Sequence, residues 1–137
     1  MNPVLRNILA IVIGALACML LNGFLLGLMM QLVGTPQGFD PNKMDTYSLL
    51  QAKHYLSPFV AHALPSLIGG AIAALIAATH KMTFALVVGG LHLLGGLIAA
   101  FLVPAPVWLI VLDLVVADLP MAWLGGWLAT RSSAARA

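Results

Sequence analysis

Four long apolar stretches, separated by short polar breaks, make up nearly the whole chain. Residues 7–39, 54–80 and 82–112 contain no Lys, Arg, Asp or Glu. An α-helix crosses the ~30 Å hydrocarbon layer of a bilayer with about 20 residues. Each stretch therefore predicts one crossing, at residues 8–34, 57–79 and 82–103. A fourth is predicted at residues 107–129, although it contains Asp113 and Asp118. Apolar and polar residues nowhere alternate with a period of two, which excludes a closed β-barrel. The expected fold is all-α: a single transmembrane domain over residues 1–137, built as a four-helix bundle.

The breaks between spans are unequal. His80-Lys81 and Val103-Pro104-Ala105-Pro106 are tight corners, so spans two, three and four should be antiparallel neighbours. Residues 35–56 form the only sizeable connection. It opens on turn formers, Gly34-Thr35-Pro36-Gln37-Gly38 and then Asp40-Pro41-Asn42. From Asp45 to Leu56 the pattern predicts a short amphipathic helix on the outer membrane surface, with Asp45 as N-cap and Tyr47, Leu50 and His54 on one face. Asp40, Asn42 and Asp45 are spaced as in a calcium loop, but the turn glycine and terminal Glu are missing, so a solvated turn is expected.

Composition agrees with the pattern. Apolar residues make up 62% of the chain and charged residues 7%, too few to cover a water-exposed surface. The net charge of +2 is a small surplus in a nearly uncharged chain, which excludes nucleic acid as a partner. Cys18 is the single cysteine, so no disulfide framework exists. Arg6, Lys81, Arg131 and Arg136 fall on one side of the predicted bundle and only Lys43 and Lys53 on the other. Basic residues favour the cytoplasmic side, so both termini are expected there. Trp108 then marks the outer interface, and Trp123 and Trp127 approach the inner one. Arg6 followed by an apolar run and Ala15-Leu16-Ala17 imitates a cleavable signal, but the run continues well past Ala17, and the first span is expected to be retained.

Candidate chemistry sits inside the spans: His62 in the second, His92 in the third, Asp113 and Asp118 in the fourth. An Asp at a helix centre costs ~2.5–3.5 kcal/mol to insert, and each Leu, Ile or Val returns ~0.3–0.6 kcal/mol. The two acids thus cancel most of what the apolar residues of span four contribute, and must be neutral, hydrated or paired. His62 shares a face with Ser66, Gly69 or Gly70, Ala73 and Ala77. His92 lies with Gly89, Gly96 and Ala100, and Asp118 with Ala122, Gly125 and Ala129. Small residues let helices approach, so these are packing faces. Asn22 fits the same scheme, aligned with Gly14 and Cys18 and next to the Gly23–Gly27 pair.

At ~1.5 Å of rise per residue, His62 and Asp113 lie roughly 8–10 Å deep and His92 and Asp118 roughly 16–18 Å. Two rungs are predicted, His62–Asp113 and His92–Asp118. The acids are five residues apart, ~140° around an α-helix, and need not share a partner. Pro65 and Pro120 free the carbonyls of Ala61 and Val116 beside the rungs. Leu67–Ala74 and Leu93–Ala100 form a partial repeat, which the prevalence of Leu, Gly, Ala and Ile in both spans explains without symmetry.

Three readings of these groups compete. They are interhelical glue, a pathway for protons, ions or a small solute, or a cofactor or metal site. A haem held by His62 and His92 needs the two level, which the depths oppose. No catalytic group or metal ligand set is assigned, and any cofactor is left open. Phe59-Val60-Ala61-His62-Ala63-Leu64, the Gly69-Gly70 pair, and Asp113-Leu114 followed by Pro120-Met121-Ala122-Trp123-Leu124 resemble a group of small, uncharacterised four-helix bacterial inner-membrane proteins. That group has an aromatic residue where this chain has Asp118. The resemblance thus implies a shared role for His62 and Asp113 rather than for Asp118. The sequence points to a non-enzymatic multi-pass protein of the bacterial inner membrane, a small channel or transporter with a polar His/Asp interior. The alternative is a structural or assembly subunit. The lipid bilayer is the expected partner, with further copies of the chain or a larger membrane complex.

Overall fold

A computed structural model describes residues 1–135. Arg136, one of the basic residues behind the expected orientation, lies outside them. The described residues are helical with no strand. α1 is Pro3–Val33, α2 Leu56–Ile76, α3 Lys81–Leu102, α4 Val107–Leu112 and α5 Leu119–Ala134. A π-helical turn, Asp113–Ala117, joins α4 to α5. Four helical segments are long and apolar enough to cross a membrane: Pro3–Val33, Ala52–Ile76, Lys81–Leu102 and Val107–Ser132.

The core is built from small residues, and α2 is its hub, packing on α1, α3, α5 and the π turn. Ser57, Ala61, Ala63, Pro65, Ser66, Gly69, Gly70, Ala73 and Ala74 are its buried positions. Glycine permits the crossings. A Cβ on Gly69 would stand 2.9 Å from the Gly14 carbonyl oxygen of α1, and one on Gly70 would stand 2.5 Å from the Ala122 oxygen of α5. At Gly125 a Cβ would overlap the Leu67 carbonyl. Large side chains such as Leu20, Phe24, Phe101 and Val107 point outward instead. The Gly23–Gly27 pair does not pack beside Asn22 as expected; both glycines face open space. A helix one residue further round presents a different face, and the Gly14, Cys18 and Asn22 line takes the interior. The two repeat segments also differ in use, since Gly69 is tightly packed while its counterpart Gly95 meets nothing.

The connection departs from the expected amphipathic helix. It forms two 3₁₀ turns, Met44–Leu49 and Ala52–Tyr55, with Leu50 and Gln51 extended between them. Side chains compete here with helical hydrogen bonds. The Thr46 hydroxyl donates to the carbonyls of Asp40 (2.8 Å) and Lys43 (2.7 Å), and Ser48 donates to Asp45 (2.8 Å). Asp40 accepts from the backbone and side chain of Asn42, closing the expected turn. Phe39 packs edge-on against Tyr47 at 5.3 Å, folding the connection over the bundle end. At the opposite end Arg6 Nε donates to the Ile76 carbonyl (3.0 Å) and Asn7 Oδ1 accepts from Ala78 N (2.9 Å). The first satisfies the last carbonyl of α2 and the second a backbone N–H of the following turn, where His80 takes the left-handed conformation (φ 44°).

Candidate functional site

Proline and a π turn bring the polar groups together. Pro65 has no N–H to give the Ala61 carbonyl, and Asn22 Nδ2 of α1 donates to that oxygen at 2.8 Å. The second hydrogen of the same amide points at His92 Nε2, 3.2 Å away. With Nε2 accepting, neutral His92 carries its proton on Nδ1. Nδ1 lies 2.8 Å from Ser66 Oγ, whose hydroxyl in turn donates to Asp118 Oδ1 at 3.1 Å. His92 Nδ1 is also 3.0 Å from that carboxylate oxygen. The result is a directional chain, Asn22 to His92 to Ser66 to Asp118. Ser66 and Asp118 are 0% exposed.

His62 and Asp113 form the second group, with Nδ1 and Oδ2 2.5 Å apart. With Asp113 ionised and His62 neutral, the carboxylate can only accept, so Nδ1 of His62 is the donor and Nε2 carries the lone pair. Nε2 makes no hydrogen bond to the described residues. The His62 and Asp113 side chains are 18% and 16% exposed, unlike the sealed Asp118.

The two predicted rungs are not separate. The His62 and His92 rings meet edge to face at 5.4 Å, which leaves no room for a macrocycle between them. The π turn explains the change. Its i→i+5 bonding brings residues five apart onto nearly the same face, so Asp113 and Asp118 both point inward. An ideal α-helix would have separated them by ~140°. Ser66 was legible only as a face-mate of His62, one turn on; its place between His92 and Asp118 depends on the π turn. No group of three or more His, Cys, Asp or Glu residues among those described could hold a metal ion.

A cavity of about 280 Å³ reaches this cluster from the end of the bundle that carries the 34–55 connection. His62 of α2, Gly96 of α3, and Asp113 and Leu114 of the π turn are its lining residues furthest from that end on their elements. Its walls are mainly apolar, with Phe39, Tyr55 and Phe59 contributing aromatic surface. No Lys or Arg lines it. Two buried carboxylate oxygens, Asp113 Oδ1 and Asp118 Oδ2, have no hydrogen-bond partner among the described residues. The second lies beside Gly96, where an added Cβ would be 3.5 Å from it and 3.9 Å from His62 Cε1. Below the cluster the helices close. Cys18, Ala73 and Val88 form a buried knot, and Gly14 and Gly69 cross at backbone contact. The chemistry available is that of a one-ended apolar chamber whose floor presents a carboxylate-oriented imidazole. Comparison with protein-family models, curated proteins and solved structures finds no match to this chain.

Proposed function

We propose that this chain is a non-enzymatic multi-pass protein of the bacterial inner membrane, with both termini cytoplasmic, acting as a small transporter. The cavity is its outward-open solute site, and His62 with Asp113 is the proton-accepting group on its floor. One observation carries the reading: the cavity ends on an imidazole whose Nδ1 is held by Asp113 and whose Nε2 is left free. Intramembrane His and Asp are costly to bury, and such a pair repays that cost when it exchanges a proton. The closed packing around Cys18, Ala73 and Val88 favours a site reached from one side at a time over an open channel.

Two experiments test this. A reporter that fluoresces only in the cytoplasm should light up when fused after Ala137; a dark fusion would overturn the orientation. In proteoliposomes the wild-type protein should dissipate an imposed pH gradient faster than empty vesicles. Asp113→Asn should return the rate to background while losing no more than ~1–2 kcal/mol of stability, the scale of one interhelical hydrogen bond. Undiminished proton flux in a folded Asp113→Asn protein would reject the role of Asp113.

A second reading, an assembly subunit in which the polar groups are glue, draws on other observations. The Asn22–His92–Ser66–Asp118 chain ties α1, α2 and α3 to the start of α5 and ends on the fully buried Ser66 and Asp118. Gly23 and Gly27 offer a helix face that nothing in the chain covers. Further copies of the chain, or a larger membrane complex, would pack there; co-purification of a stoichiometric partner from native membranes would favour this reading.

A further inference from the structure

We propose that the cavity takes the ring of a lipid-soluble phenol, the quinol form of a membrane quinone, with one phenolic hydroxyl donating to His62 Nε2. The inference rests on the reading of the cavity as a solute site and gives the chemical class of the solute.

Hydrogen-bond polarity comes first. When Asp113 is ionised and His62 neutral, Oδ2 holds Nδ1 as a donor, and Nε2 offers only a lone pair to the cavity. Asp113 Oδ1, buried beside it without a partner, is a second acceptor. A ligand that brings only carbonyl or ether oxygens would set acceptor against acceptor. One that brings an O–H satisfies the floor, and a phenolic O–H is a stronger donor than an aliphatic one.

Charge and shape narrow the class. Without Lys or Arg in its lining, and with the Asp113 carboxylate already facing His62, the cavity has no permanent cation to neutralise a phosphate or carboxylate, which disfavours phospholipids and fatty acids as occupants. At about 280 Å³ it is at the small end of ligand pockets, ~300–1,000 Å³, with space for one or two fused rings and not for a coiled chain. The aromatic surfaces of Phe39, Tyr55 and Phe59 suit a flat ring, and Phe39 is itself fixed edge-on by Tyr47. Gly96 leaves the space over His62 Cε1 and Asp118 Oδ2 unfilled, where a ring edge would lie.

The test is equilibrium binding to the full-length protein in nanodiscs, followed by calorimetry and by the shift in unfolding temperature. Three ring probes differ only in the group presented, decylbenzohydroquinone, its oxidised quinone and its dimethyl ether; a fourth, 1-decanol, keeps an O–H and lacks the ring. The hydroquinone should bind at least about tenfold more tightly than the quinone and the ether, the effect of one matched against one mismatched buried hydrogen bond, and more tightly than decanol, whose O–H is a weaker donor and which has no ring for the aromatic walls. His62→Phe should erase the preference. Gly96→Ala, whose Cβ finds only ordinary contacts, should keep the fold and weaken hydroquinone binding by narrowing the floor. Ala100→Trp should block all four probes. Equal or tighter binding of the quinone or the ether would overturn the proposal, as would decanol binding as well as the hydroquinone. Proton flux in a protein to which none of the four probes binds would overturn the ligand class and spare the transporter; hydroquinone binding to a protein that shows no proton flux would do the reverse.

Discussion

The Gly125→Ala protein is expected to lose its folded state in mild detergent, and Gly70→Ala to follow it closely. At position 125 the new methyl would occupy the space of the Leu67 carbonyl, and at position 70 it would press on the backbone of Ala122. In both cases the obstacle is main chain, which no rotamer change can relieve. Separating α2 from α5 also breaks the packing that places Ser66 opposite Asp118. Overpacking a tight core commonly costs ~1–3 kcal/mol, and backbone overlap puts these variants at or beyond the upper end. Gly23→Ala and Gly27→Ala supply the control. Both meet open space, and a helix interior gains about 0.8–1 kcal/mol when Gly becomes Ala, so they should be neutral or slightly stabilising. Thermal unfolding followed by circular dichroism separates the two pairs. A stable, monodisperse Gly125→Ala protein would show that the α2–α5 crossing is looser than the structure has it. A destabilised Gly27→Ala protein would show that its face is covered by another chain.

The four helices were legible because hydropathy and charge report directly on which segments can sit in an apolar layer. The pairing of His62 with Asp113 was legible because side chains at equal depth on packing faces must find one another. What depends on local backbone geometry was not. The π turn carries no hydrophobic signature; its only sequence trace is Pro120 following two acids five residues apart, and an α-helical wheel turns that trace into a separation. Gly14, Gly69, Gly70 and Gly125, placed on packing faces by their helical spacing from Asn22, His62 and Asp118, do make the crossings, whereas the Gly23–Gly27 pair matched a packing motif and faces open space. Choosing among glycines needs the phase of each helix against its neighbours, a tertiary quantity. The connection failed as a helix because Thr46 and Ser48 close local bonds that no periodicity records. The cavity could not be read at all, since it is the space left over after α1, α2, α3 and the π turn have packed.

Asp118→Leu is expected to cost about 2–4 kcal/mol, which distinguishes this acid from its neighbour five residues earlier. Asp118 is the terminal acceptor of the inner chain, and leucine removes both of its contacts: the buried Ser66 hydroxyl loses its acceptor, and His92 Nδ1 keeps only Ser66 Oγ. Each lost bond costs ~1–2 kcal/mol in a membrane bundle. Asp118→Asn keeps a carbonyl oxygen for Ser66 and should cost no more than about 1–2 kcal/mol. The pairwise share can be isolated: in a Ser66→Ala background one donor is already gone, so Asp118→Leu should cost less than in the wild type. The difference should fall near 0.6–2 kcal/mol, the range of measured interhelical hydrogen bonds. Strict additivity would mean that the Ser66–Asp118 bond contributes nothing. The functional half of the prediction is the sharper one. Asp118→Asn should retain proton flux, since Asp118 is sealed at 0% exposure, while Asp113→Asn on the cavity floor should lose it. Equal loss in both variants would mean that the proton travels through the inner chain as well, and that glue and pathway are one network.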